Sequence, residues 1–248
     1  MRVTTLGTSS PYPRPGDPCS SFLVEGGGSR IWLDAGPGSL AALLERCRLE
    51  DLDAVWISHT HADHFSDLGA TFYALRYADI DRPPLTVLGP AGWVDRLRAV
   101  LTHGAEPSPL EDAFEVRELA DGAGVHVGGL ELTAVAVHHD VPCLGVRIVG
   151  DGRVVAYTGD TGPGPALGDL VSGADLLVSE AGYGLDGTEP DPVHLTAAQA
   201  GAVARGGGVD HLLLTHLAGA DRDACTRAAA GVAGCRVTGA VPGLVVEV

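Results

Sequence analysis

Short apolar runs rich in valine, isoleucine and leucine recur along the chain, most of them bounded by glycine, proline or aspartate. Runs of this kind are typical of buried and half-buried β-strands. They predict ten strands: Arg2–Leu6, Ser21–Glu25, Arg30–Asp34, Ala54–Ser58, Leu85–Leu88, Val125–Val137, Leu144–Val149, Val154–Thr158, Leu176–Ser179 and His211–Thr215.

Apolar positions at helical spacing follow several of these runs. They predict helices over Leu40–Arg48, Ser66–Tyr77, Trp93–Leu101, Thr196–Arg205 and Asp223–Ala230. Strands grouped early and late in the chain, with helices between them, fit two sheets covered by helices. We therefore expect an α/β fold, an αββα sandwich of two mixed β-sheets flanked by helices. No segment has the composition of a linker, so we predict that residues 1–248 form one domain.

The composition narrows the chemistry. The 248 residues carry a formal net charge of −16, and all sixteen basic residues are arginine. A chain without lysine cannot form a lysine Schiff base, anchor pyridoxal phosphate or build a Walker-A phosphate loop. The negative charge opposes broad, salt-sensitive binding to nucleic acid or to an anionic membrane surface.

The cysteines and the apolar segments indicate a cellular compartment. The five cysteines are scattered and odd in number, which makes a poor disulfide framework. No apolar run is long enough to span a bilayer, and the first residues lack the apolar core of a signal peptide. We expect a protein of the reducing cytoplasm that does not associate with membranes.

One dense cluster of metal-binding residue types follows a predicted strand. His59-Thr60-His61-Ala62-Asp63-His64 comes directly after the strand Ala54–Ser58 and before a helix. Imidazole nitrogen and carboxylate oxygen are ligands that zinc and similar cations favour. A cluster with four such side chains can serve two adjacent metal ions.

Further candidate ligands stand at the ends of later strands. Asp160 follows the strand Val154–Thr158, and His216 follows the strand His211–Thr215. The pair His138-His139 comes after a third predicted strand. Each residue is ambiguous alone, because a lone histidine is usually structural, but three such positions beside one dense cluster favour a shared site.

These motifs resemble those of the metallo-β-lactamase-fold hydrolases, which share an H-x-H-x-D-H motif. The chain is most similar to their ribonuclease Z-type branch, which includes cyclic-nucleotide and phosphonate-pathway phosphodiesterases. The resemblance spans nearly the whole chain, through the segments Leu6–Thr8, Trp32–Gly38, His59–His64, His139–Ile148, Tyr157–Thr161 and Leu214–His216. It selects His139 over His138 as the ligand.

The resemblance implies a binuclear site. One zinc ion would be held by His59, His61 and His139. The other would be held by Asp63, His64 and His216, with Asp160 bridging the two. A water or hydroxide between the metals would be the nucleophile, because paired cations lower its pKa and polarise the bond that is attacked. The same ligands accept manganese or iron.

The resemblance also assigns roles beside the metals. Asp63 would orient the attacking water as well as bind a metal, and Asp34 would support the ligands by hydrogen bonding. The segments Ser179–Ala181 and His194–Ala200 resemble the paired glutamate and histidine motifs of the branch. They imply that Glu180 holds His194, which contacts phosphate and protonates the leaving oxygen.

The segment between two of the predicted ligands bears on the substrate. Ribonuclease Z enzymes of the bacterial type carry a long tRNA-binding arm between the positions matched by His139 and Asp160. Here 20 residues separate them, and one predicted hairpin fills that space. With the negative net charge, this favours a small substrate over tRNA 3′ processing.

Three functions remain open at this point. The first is a phosphodiesterase acting on a small or cyclic phosphodiester, and the second hydrolyses an ester, thioester or lactone at the same metals. The third is a non-catalytic or redox protein. The flavodiiron proteins have an acidic residue in the first cluster, where this chain has His59, His61 and His64. By analogy with the family we also expect a homodimer.

Overall fold

Two seven-stranded sheets form the centre of the fold in the computed structural model, which describes residues 1–190 and 192–248. The first sheet contains β1 to β6 and β14: Arg2–Gly7, Ser21–Gly26, Ser29–Leu33, Ala54–Trp56, Leu85–Pro90, Phe114–Leu119 and Val245–Glu247. The second contains β7 to β13: Gly124–Val127, Leu130–Val137, Cys143–Gly150, Arg153–Tyr157, Leu176–Glu180, His211–Thr215 and Arg236–Gly239.

Both sheets are mixed. The strand order is β14-β1-β2-β3-β4-β5-β6 in the first sheet and β13-β12-β11-β10-β9-β8-β7 in the second. In the first sheet, β3 to β6 are parallel to one another, while β14, β1, β2 and β3 pair antiparallel in turn. In the second sheet, β10 to β13 are parallel, while β7 to β10 pair antiparallel in turn.

Within residues 1–190 and 192–248, seven helices lie over the outer faces of the sheets: α1 to α7 cover Ser39–Leu44, Ala62–Phe65, Asp67–Tyr77, Trp93–Leu101, Ala166–Val171, Ala197–Gly207 and Arg222–Ala233. Alternate strand residues point to opposite faces of a sheet. Ile31 and Leu33 therefore join the core between the sheets, whereas Trp32 packs in the outer core beneath the helices of the first sheet. The predicted αββα sandwich is confirmed.

The predicted strand Val125–Val137 is wrong as a single element. It is a hairpin in which β7 and β8 pair antiparallel, with Val127 opposite Leu130. Gly128 and Gly129 form the two-residue turn, and Gly128 has a φ of 54°. Two-residue hairpin turns require a positive φ, which glycine adopts without steric cost.

The fold brings several strand ends to one edge of the sandwich. The strands β3 and β4 are parallel, so the segments that follow them leave their sheet at the same edge. The parallel strands β10, β11 and β12 do the same in the second sheet. The two sheets are joined there by a hydrogen bond of 2.9 Å from the backbone nitrogen of Leu144 to the carbonyl of Ser58.

Membrane insertion through a helix has no support in the described residues. None of their helices is both long and apolar enough to span a bilayer.

Candidate metal centre

The motif His59–His64 lies where β4 passes into α2. His59 and His64 are buried, and Asp63 is 7% exposed. The backbone of His61 is extended and precedes the first turn of α2, so Asp63 and His64 stand on that turn. The change from strand to helix within the five residues between Trp56 and Ala62 places all three histidines and the aspartate of the motif around one point.

The structure brings the seven predicted metal ligands together. The ligand atoms of His59, His61 and His139 lie within 4.8 Å of one another, and those of Asp63, His64 and His216 form a second such group. The resemblance implied the same two groups, and their binding of metal stays a prediction.

Asp160 lies between the two sets. Its Oδ1 is 3.3 Å from Nε2 of His64, and its Oδ2 is 3.1 Å from Nε2 of His216. Nε2 of His59, from the other set, is 3.8 Å from Oδ2. Asp160 therefore has the position expected of a bridging carboxylate.

The hydrogen bonding of three atoms at the centre of the cluster shows whether the site fits cations. Nε2 of His59, Nε2 of His64 and Oδ1 of Asp160 are buried and make no hydrogen bond to the described residues. Buried polar atoms in folded proteins nearly always have partners. Imidazole and carboxylate atoms that converge without partners fit divalent cations, which would satisfy all three.

Protein groups outside the two ligand sets contact the second ring nitrogen of His64 and of His139. Nδ1 of His64 lies 2.6 Å from Oδ2 of Asp34, and Nδ1 of His139 lies 2.9 Å from the carbonyl oxygen of Val193. Partners of this kind fix the ring and leave the opposite nitrogen for a metal. Asp34 thus has the supporting position that the resemblance implied.

Serine hydroxyls hold two further ligand rings. Ser58 Oγ is 3.0 Å from Nδ1 of His59, and Ser20 Oγ is 2.9 Å from Nδ1 of His216. These contacts orient one ring from each ligand set, so hydrogen bonds from outside support both halves of the centre.

The electrostatics of the cluster suit cations. Burial lowers the pKa of His59 well below its usual range. Burial also opposes the charged form of His64, but the carboxylates of Asp160 and Asp34 raise its pKa well above the usual range. Burial would raise the pKa of Asp160, yet His216 and His64 hold it well below its usual range. The centre therefore holds an ionised carboxylate among imidazoles.

Glu180 and His194 form the predicted pair at the edge of this cluster. Oε1 of Glu180 lies 3.0 Å from Nδ1 of His194 and also accepts hydrogen bonds from the backbone nitrogens of Thr161 and Leu195. Burial lowers the pKa of His194, but the hydrogen bond and the charge of Glu180 raise it above the usual value. Nδ1 of His194 lies 3.9 Å from Oδ2 of Asp160, so the pair borders the candidate metal centre.

Sequence reasoning missed several residues that contact the ligands. Oγ of Ser10 lies 2.9 Å from Nε2 of His216 and 3.1 Å from Oδ2 of Asp63. Oδ1 of Asp140 lies 3.1 Å from Nε2 of His139. Ser10 belongs to an irregular segment without a motif, whereas the adjacency of Asp140 to a ligand was a usable signal.

Comparison with known proteins is consistent with this geometry. The family described as "Beta-lactamase superfamily domain" matches residues 29–217. The uncharacterized protein Rv1339 of Mycobacterium tuberculosis is 35% identical over 222 residues, which cover 88% of this chain and 81% of that protein. Ribonuclease Z of Mycobacterium marinum is 33% identical over 198 residues, which cover 72% of this chain and 69% of that protein.

A solved structure is similar over nearly the full length. The metallo-β-lactamase fold protein YhfI of Bacillus subtilis superposes with a TM-score of 0.88 at 26% identity, covering 99% of both chains. The match includes both sheets and the edge where the histidines meet. The chain therefore belongs to the β-lactamase superfamily, and it is a metallo-hydrolase of the metallo-β-lactamase fold.

Proposed function

We propose that the protein is a phosphodiesterase that cleaves a small or cyclic phosphodiester with the help of two divalent cations. We take zinc as the preferred metal. The observation that carries this proposal is the Glu180–His194 pair beside Asp160. Hydrolysis of a phosphodiester expels an alkoxide, and an imidazolium within reach of the reacting group can protonate it.

The two ligand sets would each hold one cation, with Asp160 shared between them. When bound, paired cations lower the pKa of a water molecule and polarise the bond that is attacked. Asp63 would bind one of the cations and would also orient the attacking water. The hydroxyl of Ser10, which contacts Asp63 and His216, limits the freedom of both side chains.

Glu180 would keep His194 ready to give up a proton. Its carboxylate accepts the Nδ1 proton of His194, which leaves Nε2 for the leaving oxygen. The same carboxylate is held by the backbone nitrogens of Thr161, Gly182 and Leu195, so the pair has a fixed place in the fold. Glu180 thus acts as a positioning residue and His194 as the general acid.

A small substrate is favoured over tRNA. Between His139 and Asp160 the chain forms the hairpin of β9 and β10, in which Gly150 pairs with Arg153. The negative net charge of −16 also opposes the binding of a polyanion such as tRNA. The M. marinum relative is named a ribonuclease, and ribonucleases cleave phosphodiester bonds. This name supports a phosphodiester as the bond that is cleaved, and it does not bear on the size of the substrate.

The alternative is hydrolysis of a carboxylic ester, thioester or lactone at the same cations. A metal can stabilise the oxyanion of such a reaction directly, so that chemistry does not require His194. The pair of Glu180 and His194 would then have no role in protonating the leaving group.

Turnover measurements separate these functions. Zinc- and manganese-loaded protein is assayed on bis(p-nitrophenyl) phosphate beside an aryl ester, a thioester and a lactone, with the variant Asp63→Ala as the blank. We expect phosphodiester cleavage that the blank loses and little cleavage of the carbonyl substrates. Cleavage of a carbonyl substrate without phosphodiesterase activity would overturn the proposal.

A further inference from the structure

A second concave site lies beside the metal centre, on the other side of His216. It is a cavity of about 210 Å³ between the segment 8–17 and the segment 214–222. Its walls include Ser9, Arg14, His216 and Arg222. Ser10, the neighbour of Ser9 in the chain, contacts Asp63 and His216, so the cavity adjoins the candidate metal centre and shares His216 with it.

The charged side chains that line this cavity are two arginines and one aspartate, so their net charge is positive. Arg14 donates to the carbonyl oxygen of Ser10 and lies 5.0 Å from the ring centre of Tyr12, and it forms no ion pair with the described residues. One carboxylate, that of Asp17, also lines the cavity, and its Oδ2 lies 4.0 Å from Arg222, at the limit of an ion pair. Asp17 itself accepts hydrogen bonds from the backbone and hydroxyl of Thr8.

Hydrogen-bond donors in the walls are also unused. The backbone nitrogens of Leu217, Ala218 and Gly219 donate to none of the described residues, whereas that of Ala220 donates to the carbonyl oxygen of Leu217. Backbone donors without a protein partner at the cavity wall are available to an anion.

Two guanidinium groups and free backbone N–H groups in one cavity match the chemistry of an oxyanion. Guanidinium binds phosphate and carboxylate oxygens through paired hydrogen bonds, and backbone N–H groups in tight turns form anion-binding concavities. His216 and Ala218 have φ values of 54° and 47°, so the segment curls tightly along the wall of the cavity.

We propose that this cavity, which adjoins the candidate metal centre at His216, is an oxyanion-binding site that takes the phosphate or carboxylate group of a small ligand. The ligand's anionic group contacts Arg14 and Arg222 together. Anion binding in this cavity does not depend on which bond the metal centre cleaves. The proposal can therefore be tested independently of the proposed phosphodiesterase activity.

Titration calorimetry of the metal-loaded protein with inorganic phosphate tests the site. The double variant Arg14→Gln/Arg222→Gln is compared with the charge-matched double variant Arg205→Gln/Arg227→Gln, whose two arginines are exposed and lie outside the cavity. We expect the first variant to bind one phosphate fewer per chain, or to bind it at least tenfold more weakly, while the second matches wild type. Circular dichroism and melting temperature check that both variants fold.

Kinetics then identify the source of the anion. If the substrate's own acidic group occupies the cavity, Arg14→Gln/Arg222→Gln raises KM and phosphate competes with substrate. If free phosphate occupies it, phosphate changes turnover in wild type and the double variant loses that response. Identical phosphate isotherms in the two double variants would overturn the proposal, whatever the result of the turnover measurements on bis(p-nitrophenyl) phosphate.

Discussion

Asp34 and His64, 30 residues apart in the chain, are joined by a contact of 2.6 Å between Oδ2 and Nδ1. Asp34 also accepts hydrogen bonds from the backbone nitrogen and hydroxyl of Ser58 and from the hydroxyl of Tyr157. Its φ of 55° lies in the left-handed region, which aspartate adopts more readily than most residues. One buried carboxylate therefore ties together β3, the metal-ligand motif and β10.

This relationship predicts the effect of Asp34→Asn. The substitution keeps the shape but removes the charge and one acceptor, so His64 loses its best orienting partner. We expect metal affinity to fall about 10- to 100-fold, the range measured for comparable supporting residues. Competition with a chromogenic chelator measures the affinity. The variant Tyr157→Phe, which removes one hydrogen bond to the same carboxylate, serves as the milder control, and an equal loss in both would contradict the role of charge.

The variant His194→Ala distinguishes a general acid from a structural histidine. A general acid matters most when the leaving group is a poor one, and its removal costs about 10²- to 10⁴-fold. We expect a loss in that range for a phosphodiester with an alkyl leaving group and a much smaller loss for one that releases p-nitrophenolate. Metal content should not change. Equal losses on both substrates would mean that His194 does not protonate the leaving oxygen.

Glu180→Gln tests the positioning residue through the pH profile. The carboxylate raises the pKa of His194, so its removal lowers that pKa and the protonated form is lost at a lower pH. The alkaline limb of kcat should therefore move to lower pH on the alkyl substrate, with KM changed less than kcat. Profiles measured from pH 5 to pH 9 in wild type and variant show the shift. An unmoved alkaline limb would remove Glu180 from this role.

Asp175 predicts a stability effect remote from the site. Burial would raise the pKa of its carboxyl, but hydrogen bonds from the backbone of Val154 and the side chain of Arg153 lower it. A lowered pKa means that the carboxylate stabilises the fold above its unfolded pKa and that this contribution disappears as the pH falls through the folded value. We expect Asp175→Asn to cost about 1 kcal/mol at pH 7 and progressively less in acid.

Urea unfolding at pH 7 and at successive lower pH values measures this effect. The exposed residue Asp79 offers a matched control, because Asp79→Asn makes the same change of charge away from this contact. A cost that is equal at all pH values would show that the charge of Asp175 is not what stabilises the strand.

The sequence was enough to predict the layers of the fold and which candidate ligand side chains come together. The motif His59–His64 is local, and the later candidates Asp160 and His216 each follow a buried strand. Because parallel strands bring their ends to one edge, proximity in space followed from the fold class. The side chains that meet there form the two groups that the resemblance implied, and metal binding by them stays a prediction.

Other elements escaped prediction for physical reasons. In β6, charged residues alternate with Phe114 and Val116, as an edge strand permits, so no apolar run marks it. The strands β13 and β14 are four and three residues long. The helix α5, at six residues, is too short for a periodic pattern.

The partners of the ligands escaped prediction for a different reason. Ser10 and Ser20 reach His216 across about 200 residues of sequence, 206 and 196 positions respectively. No spacing rule connects such positions, because tertiary packing alone sets their distance. The homodimer, the extent of the domain and the small-molecule substrate stay predictions.

The binuclear centre is the central claim, and metal content tests it most directly. The protein is reconstituted with zinc, freed of excess metal and analysed by mass spectrometry of the elements, beside the variant His139→Ala, which removes a ligand from one set only. We predict two zinc ions per chain in wild type and about one in the variant. A wild-type content well below two that persists after reconstitution, or two ions retained in the variant, would contradict the account.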